Sequence, residues 1–479
     1  MTDLYELTMA HAYWKENKAE DEAVFHLCYR HQPFQGGYAI AAGLASVIDY
    51  LQSWHFDESD IAYLASLKAE GGGALFEDEF LHYLRSLKFS CDVDAVVEGE
   101  VVFPFEPLIR VQGPLLQAQL LESALLTLTN FSTLIATKAA RVCQAADGDA
   151  VLEFGLRRAQ GVDGAMTASR AAYLGGCAST SNTLAGKWLG IPVAGTHAHS
   201  WIMAFDSELE SFFAYARAMP HHCVFLVDTY DTLQGVKHAI EVGKWLRKQG
   251  HPLLGVRLDS GDLTYLSQKA REMLDSEGFQ ETKIYASNEL SETLIADMKQ
   301  QGAKIAVWGV GTNLVTGQTQ SALDGVYKLS ALRPVGSQHW QYKLKFSERM
   351  VKISNPGILQ VRRFSDESGQ YFADALYDVL SPIPSEWEMI DPEHPLRHKV
   401  LNPKAKSRDL LVKIFSKGEY VYSQPSLSQS RSYCQKQLKC FDATFRRLCN
   451  PHVYPVGMEK QLYDKKMQLV HAIQGKLYQ

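Results

Sequence analysis

Short runs of apolar residues recur through the middle of the chain, and each is followed by a polar or glycine-rich cluster and then by a segment of helical period. Short, wholly apolar strands that alternate with amphipathic helices are typical of a parallel sheet covered by helices. Six such units in succession favour a (β/α) barrel over an open sheet. The six predicted strands are residues 151–154, 191–194, 223–227, 253–258, 284–286 and 305–308.

The two ends of the chain lack this rhythm. Apolar periodicity predicts helices over residues 1–20, 39–54 and 115–146, and strands over 23–29, 91–112 and 340–365. With 479 residues, the chain is too long for one simple core. We therefore expect an α/β protein with a barrel over 116–332 and an outer α+β domain that combines 1–115 with 333–479.

The composition excludes several classes of protein. The net charge is −6, and 46% hydrophobic with 21% charged residues is the balance of an ordinary globular protein. Nothing in it predicts a nucleic-acid partner or a membrane-binding face, and no apolar run is expected to reach the length that spans a bilayer. Asp3 and Glu6 interrupt the N-terminus, which is unlike a signal peptide. The eight cysteines include no Cys-x-x-Cys pair, so we expect reduced thiols in a cytoplasmic protein.

Polar side chains follow each of the predicted strands. Because function gathers at the carboxyl ends of parallel strands, we expect these side chains to ring one cavity. An aspartate in this position is commonly only a helix N-cap, which is the simplest interpretation of Asp231 and Asp262. In chain order the other strand-end residues are Arg157, Arg158, Thr196, His197, His199, Asp228, Thr229, Arg257, Asp259, Ser260, Ser287, Asn288, Gly309, Gly311, Thr312 and Asn313.

Two of these clusters suit a phosphorylated ligand. Glycine at 309 and 311 lets the backbone approach closely, and successive N–H groups form an anion nest. Asp228 and Asp259 suit ribose hydroxyls or a Mg²⁺ ion bound to phosphates, and the alternative is capping or an ion pair with Arg257.

His197 and His199 leave three interpretations open from position alone. A His-x-His pair after a strand is a possible zinc site, although no third ligand is evident. A histidine in a barrel is often only a structural hydrogen-bonding group. The third interpretation is a nucleophile or acid–base group beside a phosphate. No lysine follows the predicted strands, which argues against Schiff-base chemistry.

Nearly the whole chain resembles the nicotinate phosphoribosyltransferase family. The segments that carry the resemblance include TDLYELTM, EFGLRRAQG, GTHAHSW, VRLDSGD, VWGVGTN and KISNPG. The resemblance implies the TIM-like barrel of the type II phosphoribosyltransferases, an outer domain from both termini, and a homodimer with shared active sites. It also implies that nicotinate displaces pyrophosphate from 5-phosphoribosyl 1-pyrophosphate, which is the first step of NAD salvage from nicotinate. That transfer would be coupled to ATP hydrolysis in a ligase-like manner, with Mg²⁺ as cofactor.

The resemblance also implies roles for single residues. His199 would be the histidine that ATP phosphorylates, whereas His197 would only support it. Phe154 would stack on the pyridine ring, with Tyr5 reaching in from the second subunit. The other implied substrate-binding positions are Arg157, Ser181, Thr196, Arg257, Ser287, Asn288, Gly309, Gly311 and Thr312.

Four further residues are implied on the charged parts of the substrates. Asp228 and Asp259 would act as catalytic carboxylates near the ribose, and either is a possible Mg²⁺ ligand. Arg30 and Lys352 would contact pyrophosphate or ATP across the subunit interface.

Two alternatives remain beside this function. Nicotinamide phosphoribosyltransferase uses an aspartate to receive the carboxamide, where this chain has Ser181 or Asn182. A neutral residue suits a carboxylate substrate, because an aspartate would repel it. A catalytically silent binder of nucleotides or sugar phosphates would more commonly have lost one of the candidate residues.

Overall fold

The computed structural model of the protein describes residues 1–347, 352–402 and 404–477. The chain divides into a terminal unit, Met1–Thr133 with Ala322–Gln479, and a central unit, Leu134–Ser321. The first division falls inside a long helix, beyond the predicted boundary at residue 116. Because the helical pattern of residues 115–146 is continuous, apolar periodicity does not reveal that point.

The described residues form sixteen α-helices. They are α1 Leu4–Lys15, α2 Leu44–Gln52, α3 Glu58–Ser66, α4 Asp78–Ser86, α5 Leu115–Gln119, α6 Glu122–Ala145, α7 Gly161–Gly175, α8 Thr183–Leu189, α9 His199–Met203, α10 Glu208–Ala218, α11 Thr232–Lys248, α12 Leu263–Ser276, α13 Glu292–Gln300, α14 Thr312–Val315, α15 Leu427–Lys439 and α16 Lys460–Leu477.

The strands of the described residues number twenty-one. They are β1 Glu22–Tyr29, β2 Ala39–Ile40, β3 Asp92–Val96, β4 Val101–Val102, β5 Ile109–Pro114, β6 Ala150–Glu153, β7 Ser179–Thr180, β8 Val224–Leu226, β9 Gly255–Leu258, β10 Lys283–Ala286, β11 Val307–Val310, β12 Gly325–Arg333, β13 Gln341–Tyr342, β14 Leu359–Ser365, β15 Tyr371–Asp378, β16 Trp387–Ile390, β17 His398–Leu401, β18 Lys406–Asp409, β19 Leu411–Ser416, β20 Glu419–Tyr420 and β21 Val456–Glu459.

The central unit is built on a six-stranded parallel sheet of order β7-β6-β11-β10-β9-β8. Its strands are largely buried. Every residue of β8 and β11 is buried, which explains why these two strands are wholly apolar. Five of the six predicted strands are confirmed to within two or three residues at each end.

The predicted strand at residues 191–194 is wrong. In its place the two-residue strand β7 occupies the sheet edge, and Val193 makes a single parallel bridge to Thr180 of β7. Pro192 has no N–H to donate, so this segment cannot form a continuous ladder. The polar Ser179–Thr180 pair carries no apolar run that would have predicted β7. Among the described residues no strand pairing joins β7 to β8, so the closed barrel stays a prediction.

The terminal unit contains two larger sheets that combine both ends of the chain. The first has the order β13-β12-β1-β5-β3-β19-β20 and the second β17-β16-β21-β15-β14-β18. One hydrophobic cluster holds side chains of both sheets, with Leu27 and Val111 from the first and Val361 and Leu376 from the second. The predicted strand at residues 23–29 is confirmed as β1.

Three predicted elements of the flanking regions need correction. Residues 39–54 begin as strand β2, and α2 starts only at Leu44, after Gly43 adopts a left-handed conformation with φ 98°. The predicted helix over 115–146 is interrupted between α5 and α6. Of the predicted strand region 340–365, the described residues pair only in β13 and β14.

One stretch, Leu115–Ala145, is long and apolar enough to cross a membrane by length and composition, contrary to the expectation from sequence. In the structure 61% of its most apolar window is buried inside the protein. That burial is the environment of a core helix in a folded domain.

A buried arginine ties strands of the terminal unit together. Arg363 of β14 is fully buried; its Nη1 donates to Glu100 Oε1 at 2.6 Å and its Nε to Asp374 Oδ1 at 2.9 Å. Its guanidinium also lies against the ring of Phe441, 5.0 Å from the centroid. Removing this cation would leave the buried Asp374 without its arginine and would leave Glu100 paired with Arg408, whose Nη2 donates to Glu100 Oε2 at 2.7 Å.

We expect Arg363→Ala to lower the free energy of unfolding by about 3–5 kcal/mol, the usual cost of breaking a buried ion pair from one side. Urea denaturation followed by circular dichroism measures the change. The control is Arg85→Ala, because Arg85 pairs with Glu58 at the surface and should contribute less than about 1 kcal/mol. Equal losses in the two variants would contradict a structural role for the Arg363 network.

Candidate active site

Arg257 is the centre of a hydrogen-bond network at the carboxyl end of the central sheet. Its Nε donates to Ser287 Oγ at 2.8 Å, its Nη1 to Thr196 Oγ1 at 2.9 Å, and its Nη2 to Asp259 Oδ1 at 2.8 Å. These partners follow β9, β10 and the 191–194 segment. The structure therefore brings together residues that the sequence placed at three separate strand ends.

The two aspartates after β8 and β9 are joined through the backbone. The N–H of Asp259 donates to Asp228 Oδ2 at 2.8 Å, and the Ser260 hydroxyl donates to the same oxygen at 2.6 Å. Burial alone would raise the pKa of Asp259, but the Ser287 hydroxyl and the Arg257 guanidinium hold it below its usual range. Asp259 is thus ionised near neutral pH. Asp228 Oδ1 is buried and makes no hydrogen bond within the described part of the chain.

His199 begins the short helix α9 and faces the same carboxylate. Its Nδ1 lies 3.0 Å from Thr229 Oγ1, and its Nε2 lies 3.8 Å from Asp259 Oδ2. The side chain is 40% exposed, so one edge of the ring is open to a ligand. The sequence placed Thr229 at a strand end without assigning it a role; the structure makes it the partner of His199.

His197 has a different environment. It is buried against the rings of Tyr215 and Phe225, with centroids 5.0 and 6.2 Å away. Its Nε2 accepts the Leu226 N–H at 3.4 Å, so that nitrogen carries no proton and offers no free lone pair. Burial, with the nearby charge of Arg257, lowers the pKa of His197 to about 4. Across residues 1–347, 352–402 and 404–477, no group of three His, Cys, Asp or Glu is placed to hold a metal ion.

The Phe154 ring packs on β11 because Gly309 has no side chain. A Cβ at Gly309 would lie 2.7 Å from Phe154 Cδ2, and one at Gly311 would lie 3.3 Å from the Phe154 carbonyl oxygen. The Arg257 guanidinium lies 5.8 Å from the centroid of this ring. The glycines therefore serve the close approach of Phe154, a role that their assignment to a phosphate loop did not anticipate.

Ser181 and Asn182, between which the sequence left an ambiguity, differ in the structure. Asn182 is buried, and its Oδ1 caps α8 by accepting the N–H groups of Leu184 and Ala185 at 3.2 Å each. Ser181 is half-buried, and its hydroxyl makes no hydrogen bond among the described residues. Ser181 is therefore the one that is free to meet a ligand.

Glu153 is a site residue that the sequence did not single out. It ends β6 directly before Phe154, is 1% exposed, and accepts the Ser169 hydroxyl at 2.8 Å, the Thr180 hydroxyl and the Gly155 N–H. It thereby fixes the turn after β6 to the β7 edge. A lone carboxylate inside an apolar strand run was the signal that could have revealed it.

The remaining strand-end residues occupy the loops after β6, β10 and β11. Arg157 is exposed on a short 3-10 turn. Asn288 is exposed in the left-handed region with φ 99°, and Thr312 starts α14 after Gly311. Asn313 Nδ2 donates to the carbonyl oxygen of Glu289 at 2.9 Å, which ties the β10 and β11 loops to each other. Asp231 and Asp262 cap α11 and α12, as their simplest interpretation predicted.

Three predicted residues belong to the terminal unit. Arg30 and Lys352 line one cavity of about 40 Å³, together with Lys328, which the sequence did not single out. Tyr5 is exposed near the start of α1. That helix is held by Ser123, whose N–H donates to Glu6 Oε1 at 2.9 Å.

The central sheet and its strand-end network define a parallel α/β protein with a polar, partly ionised site at the carboxyl edge. Family models for nicotinate phosphoribosyltransferase match residues 1–130 as N-terminal domain, 150–373 as the family, and 359–466 as C-terminal domain. The chain belongs to the nicotinate phosphoribosyltransferase family.

Relatives match over nearly the full length. Nicotinate phosphoribosyltransferase of Bacillus subtilis is 42% identical, over 99% of this chain and 96% of the relative. The Homo sapiens protein of the same name is 34% identical, over 96% of this chain and 95% of its own. The crystal structure of human nicotinic acid phosphoribosyltransferase superposes with a TM-score of 0.84 at 31% identity, covering 98% of this chain and 100% of that one.

A more distant likeness concerns the fold alone. The crystal structure of nicotinate-nucleotide pyrophosphorylase from Pyrococcus furiosus has a TM-score of 0.68 at 21% identity, over 92% of this chain and 95% of that one.

We expect the His197 ring to stay neutral from pH 8 down to about pH 5 and to titrate with a midpoint near 4. Since the fold accommodates the neutral ring, its contribution to stability is present above the unfolded pKa of about 6.5 and is lost as the pH falls toward the folded value. Histidine ring signals in an NMR titration measure the midpoint, and His197→Phe identifies the signal. A midpoint near 6.5 would contradict the buried, neutral assignment.

Proposed function

We propose that this protein transfers the phosphoribosyl group of 5-phosphoribosyl 1-pyrophosphate to nicotinate, giving nicotinate mononucleotide and pyrophosphate, the first step of NAD salvage from nicotinate. The observation that carries the proposal is the convergence of Arg257, Asp259 and Ser287 beside the Phe154 ring. It is supported by relatives that match over nearly the full length and are named nicotinate phosphoribosyltransferase.

The pyridine nitrogen of nicotinate forms its bond to C1 of the ribose as the bond from C1 to the pyrophosphate oxygen breaks. Phe154 stacks on the pyridine ring, and Arg257 attracts the nicotinate carboxylate. Positive charge grows on the ribose in the oxocarbenium-like transition state, so the ionised Asp259 stabilises it electrostatically. The Ser287 hydroxyl is engaged by Arg257 and Asp259, and we therefore assign it to their orientation in place of the phosphate contact expected from sequence.

The phosphate groups are assigned to the more exposed residues around this network. Arg157 stabilises the charge of the departing pyrophosphate. The 5-phosphate lies among Asn288, Gly311 and Thr312, on the loops that Asn313 joins. Thr196 holds Arg257 from the remaining side.

The carboxylates also suit a Mg²⁺ ion. The buried Oδ1 of Asp228 makes no hydrogen bond within the described chain, and Mg²⁺ commonly takes one or two carboxylates together with substrate phosphates. Asp228 would hold the ion, with Asp259 as the neighbouring carboxylate. When bound, the ion would neutralise charge on the leaving pyrophosphate.

We assign ATP coupling to His199. With Nδ1 donating its proton to Thr229 Oγ1, the lone pair lies on Nε2 of a ring that is 40% exposed. That nitrogen takes the γ-phosphoryl group of ATP as ADP leaves, and water then breaks the phosphorus–nitrogen bond to release inorganic phosphate. His197 supports the loop from the core.

The proposed function also includes a closed barrel, a homodimer and a location in the cytoplasm. The barrel closes through residues 193–197, where Val193 bridges to Thr180 and His197 accepts the N–H of Leu226 in β8. A homodimer in the cytoplasm shares its active sites, so that Tyr5, Arg30 and Lys352 serve the site of the second subunit. No nucleic acid or membrane takes part.

We expect His199→Ala to lose ATP hydrolysis by about 10²-fold or more, while uncoupled formation of nicotinate mononucleotide continues. γ-Labelled ATP should leave label on the wild type and none on the variant. His251→Ala is the control, because His251 precedes β9 at the opposite end of the strand, and it should retain the label. Label persisting on His199→Ala would overturn the assignment; label on neither protein would overturn ATP coupling.

We expect Ser181→Asp to lower kcat/KM for nicotinate by about 10- to 100-fold, because the new carboxylate repels that of the substrate. Nicotinamide use should fall less, and parallel steady-state assays compare the two substrates. Asn182→Ser is the control, since a serine still caps α8 without burying a charge and should leave the KM for nicotinate nearly unchanged. A larger effect from position 182 would reverse the assignment of the two residues.

A further inference from the structure

Lys466 is a buried lysine without an ion pair. It lies on α16 and is 3% exposed, and its Nζ donates one hydrogen bond, to Asn355 Oδ1 at 2.7 Å. Throughout the described residues no carboxylate comes within 4.0 Å of its ammonium, whereas its neighbour Lys465 reaches Asp378 at 3.5 Å. Burying an ammonium group that makes no ion pair costs free energy.

The chemistry of lysine fixes the orientation of Asn355. An ammonium group can only donate, so the asparagine must present its Oδ1 to Lys466. The Nδ2 amide is then left as a donor, and within the described chain it makes no hydrogen bond of its own. Asn355 lines the same cavity of about 40 Å³ as Arg30, Lys328 and Lys352.

This cavity is suited to an anion of the size of a phosphoryl group. Its described lining contains three cationic side chains and no carboxylate. Carboxylates lie just outside it, since Asp324 is 3.8 Å from Arg30 and Glu122 is 4.0 Å from Lys328. His26, at the back, is neutral because burial lowers its pKa to about 3, and its Nε2 is taken by the Leu359 N–H. A volume of about 40 Å³ is enough for a few water molecules or for a group of similar size, such as one phosphoryl group.

We propose that Lys466 is a positioning residue that holds Asn355 as a fourth donor of this cavity, which receives the terminal phosphoryl group of a diphosphate or triphosphate substrate. The inference rests on the proposed function, in which that group belongs either to 5-phosphoribosyl 1-pyrophosphate or to ATP. Lys466 itself does not reach the ligand. It acts through Asn355, whose Oδ1 it holds so that the Nδ2 donor is left for the anion.

Titration of Lys466 gives this arrangement a pH dependence. Burial lowers its pKa to about 8, and the charge of Glu393 opposes the fall. Glu393 is the one charged group of the described chain that acts on the pKa of Lys466, so the arrangement is linked to the cavity through Asn355. A neutral amine can accept a hydrogen bond, so above about pH 8 the asparagine amide is free to turn and the cavity loses its donor.

Inorganic pyrophosphate is the probe, and its binding is measured by calorimetry without nicotinate between about pH 7 and pH 9. For the wild type we expect affinity to weaken above about pH 8. Lys466→Met keeps the unbranched, buried stem without the charge. It should weaken pyrophosphate binding about 10-fold at pH 7 and remove the further loss of affinity near pH 8. Lys465→Met, on the same helix, is the matched control and should retain the affinity of the wild type and its pH dependence.

Asn355→Asp is a second variant, which tests the proposal even if Lys466→Met does not fold. The aspartate forms an ion pair with Lys466 but presents an acceptor to the anion, so pyrophosphate should bind at least about 10-fold more weakly in a folded protein. Wild-type affinity in both variants would overturn the proposal. So would a loss in Lys466→Met that is accompanied by an equal loss of nicotinate binding, because that result indicates general disruption.

Steady-state assays then identify the source of the phosphoryl group. A raised KM confined to 5-phosphoribosyl 1-pyrophosphate supports the cavity as its pyrophosphate site, and one confined to ATP supports an ATP site. An unchanged KM for both, with kcat also unchanged, would overturn a role in the reaction. Failure of the proposed function would appear separately, as a wild type that binds pyrophosphate but forms no nicotinate mononucleotide.

Discussion

The guanidinium of Arg257 is the constraint on which the strand-end site depends. A half-buried arginine must have its donors satisfied, and here the acceptors come from Thr196, Asp259 and Ser287 on separate segments. None of these segments can shift without leaving a buried donor unpaired. Asp259 extends the network, since its backbone N–H holds Asp228 and its second carboxylate oxygen faces His199. The residues proposed for transfer and for ATP coupling therefore share one carboxylate.

Much of this site could be predicted because the polarity of parallel strands gathers their carboxyl ends at one edge. Their positions at predicted strand ends are sufficient to single out His199, Asp228, Arg257 and Asp259. The ion pair that was the structural alternative for Asp259 exists, and it forms part of the site. Glu153 escaped prediction because it occurs inside an apolar strand, where its three hydrogen-bond donors come from residues distant in sequence or from its own turn.

The fold was predictable where burial leaves a long apolar run and less so where pairing depends on single residues. β8 to β11 follow from their sequences. β7 consists of two polar residues and therefore has no apolar run that predicts it. The neighbouring segment 191–194 has an apolar run, but Pro192 lacks the N–H that a continuous ladder needs. The division of the chain inside a continuous helical pattern leaves no trace in local periodicity either. In each case the deciding contact is tertiary, and a local pattern does not contain it.

Two buried cations of the terminal unit, Arg363 and Lys466, differ in how their charge is balanced. Arg363 is enclosed by Glu100 and Asp374, so its charge is neutralised within the fold and its effect is on stability. Lys466 makes no ion pair among the described residues: it donates to the amide oxygen of Asn355, and Glu393 acts on it from farther away. An asparagine that is held in place before the anion arrives loses little conformational freedom on binding, so under the proposed role Lys466 acts on ligand affinity. The two buried cations therefore differ in what they determine: Arg363 acts on the stability of the fold, and Lys466 acts on the orientation of one hydrogen-bond donor.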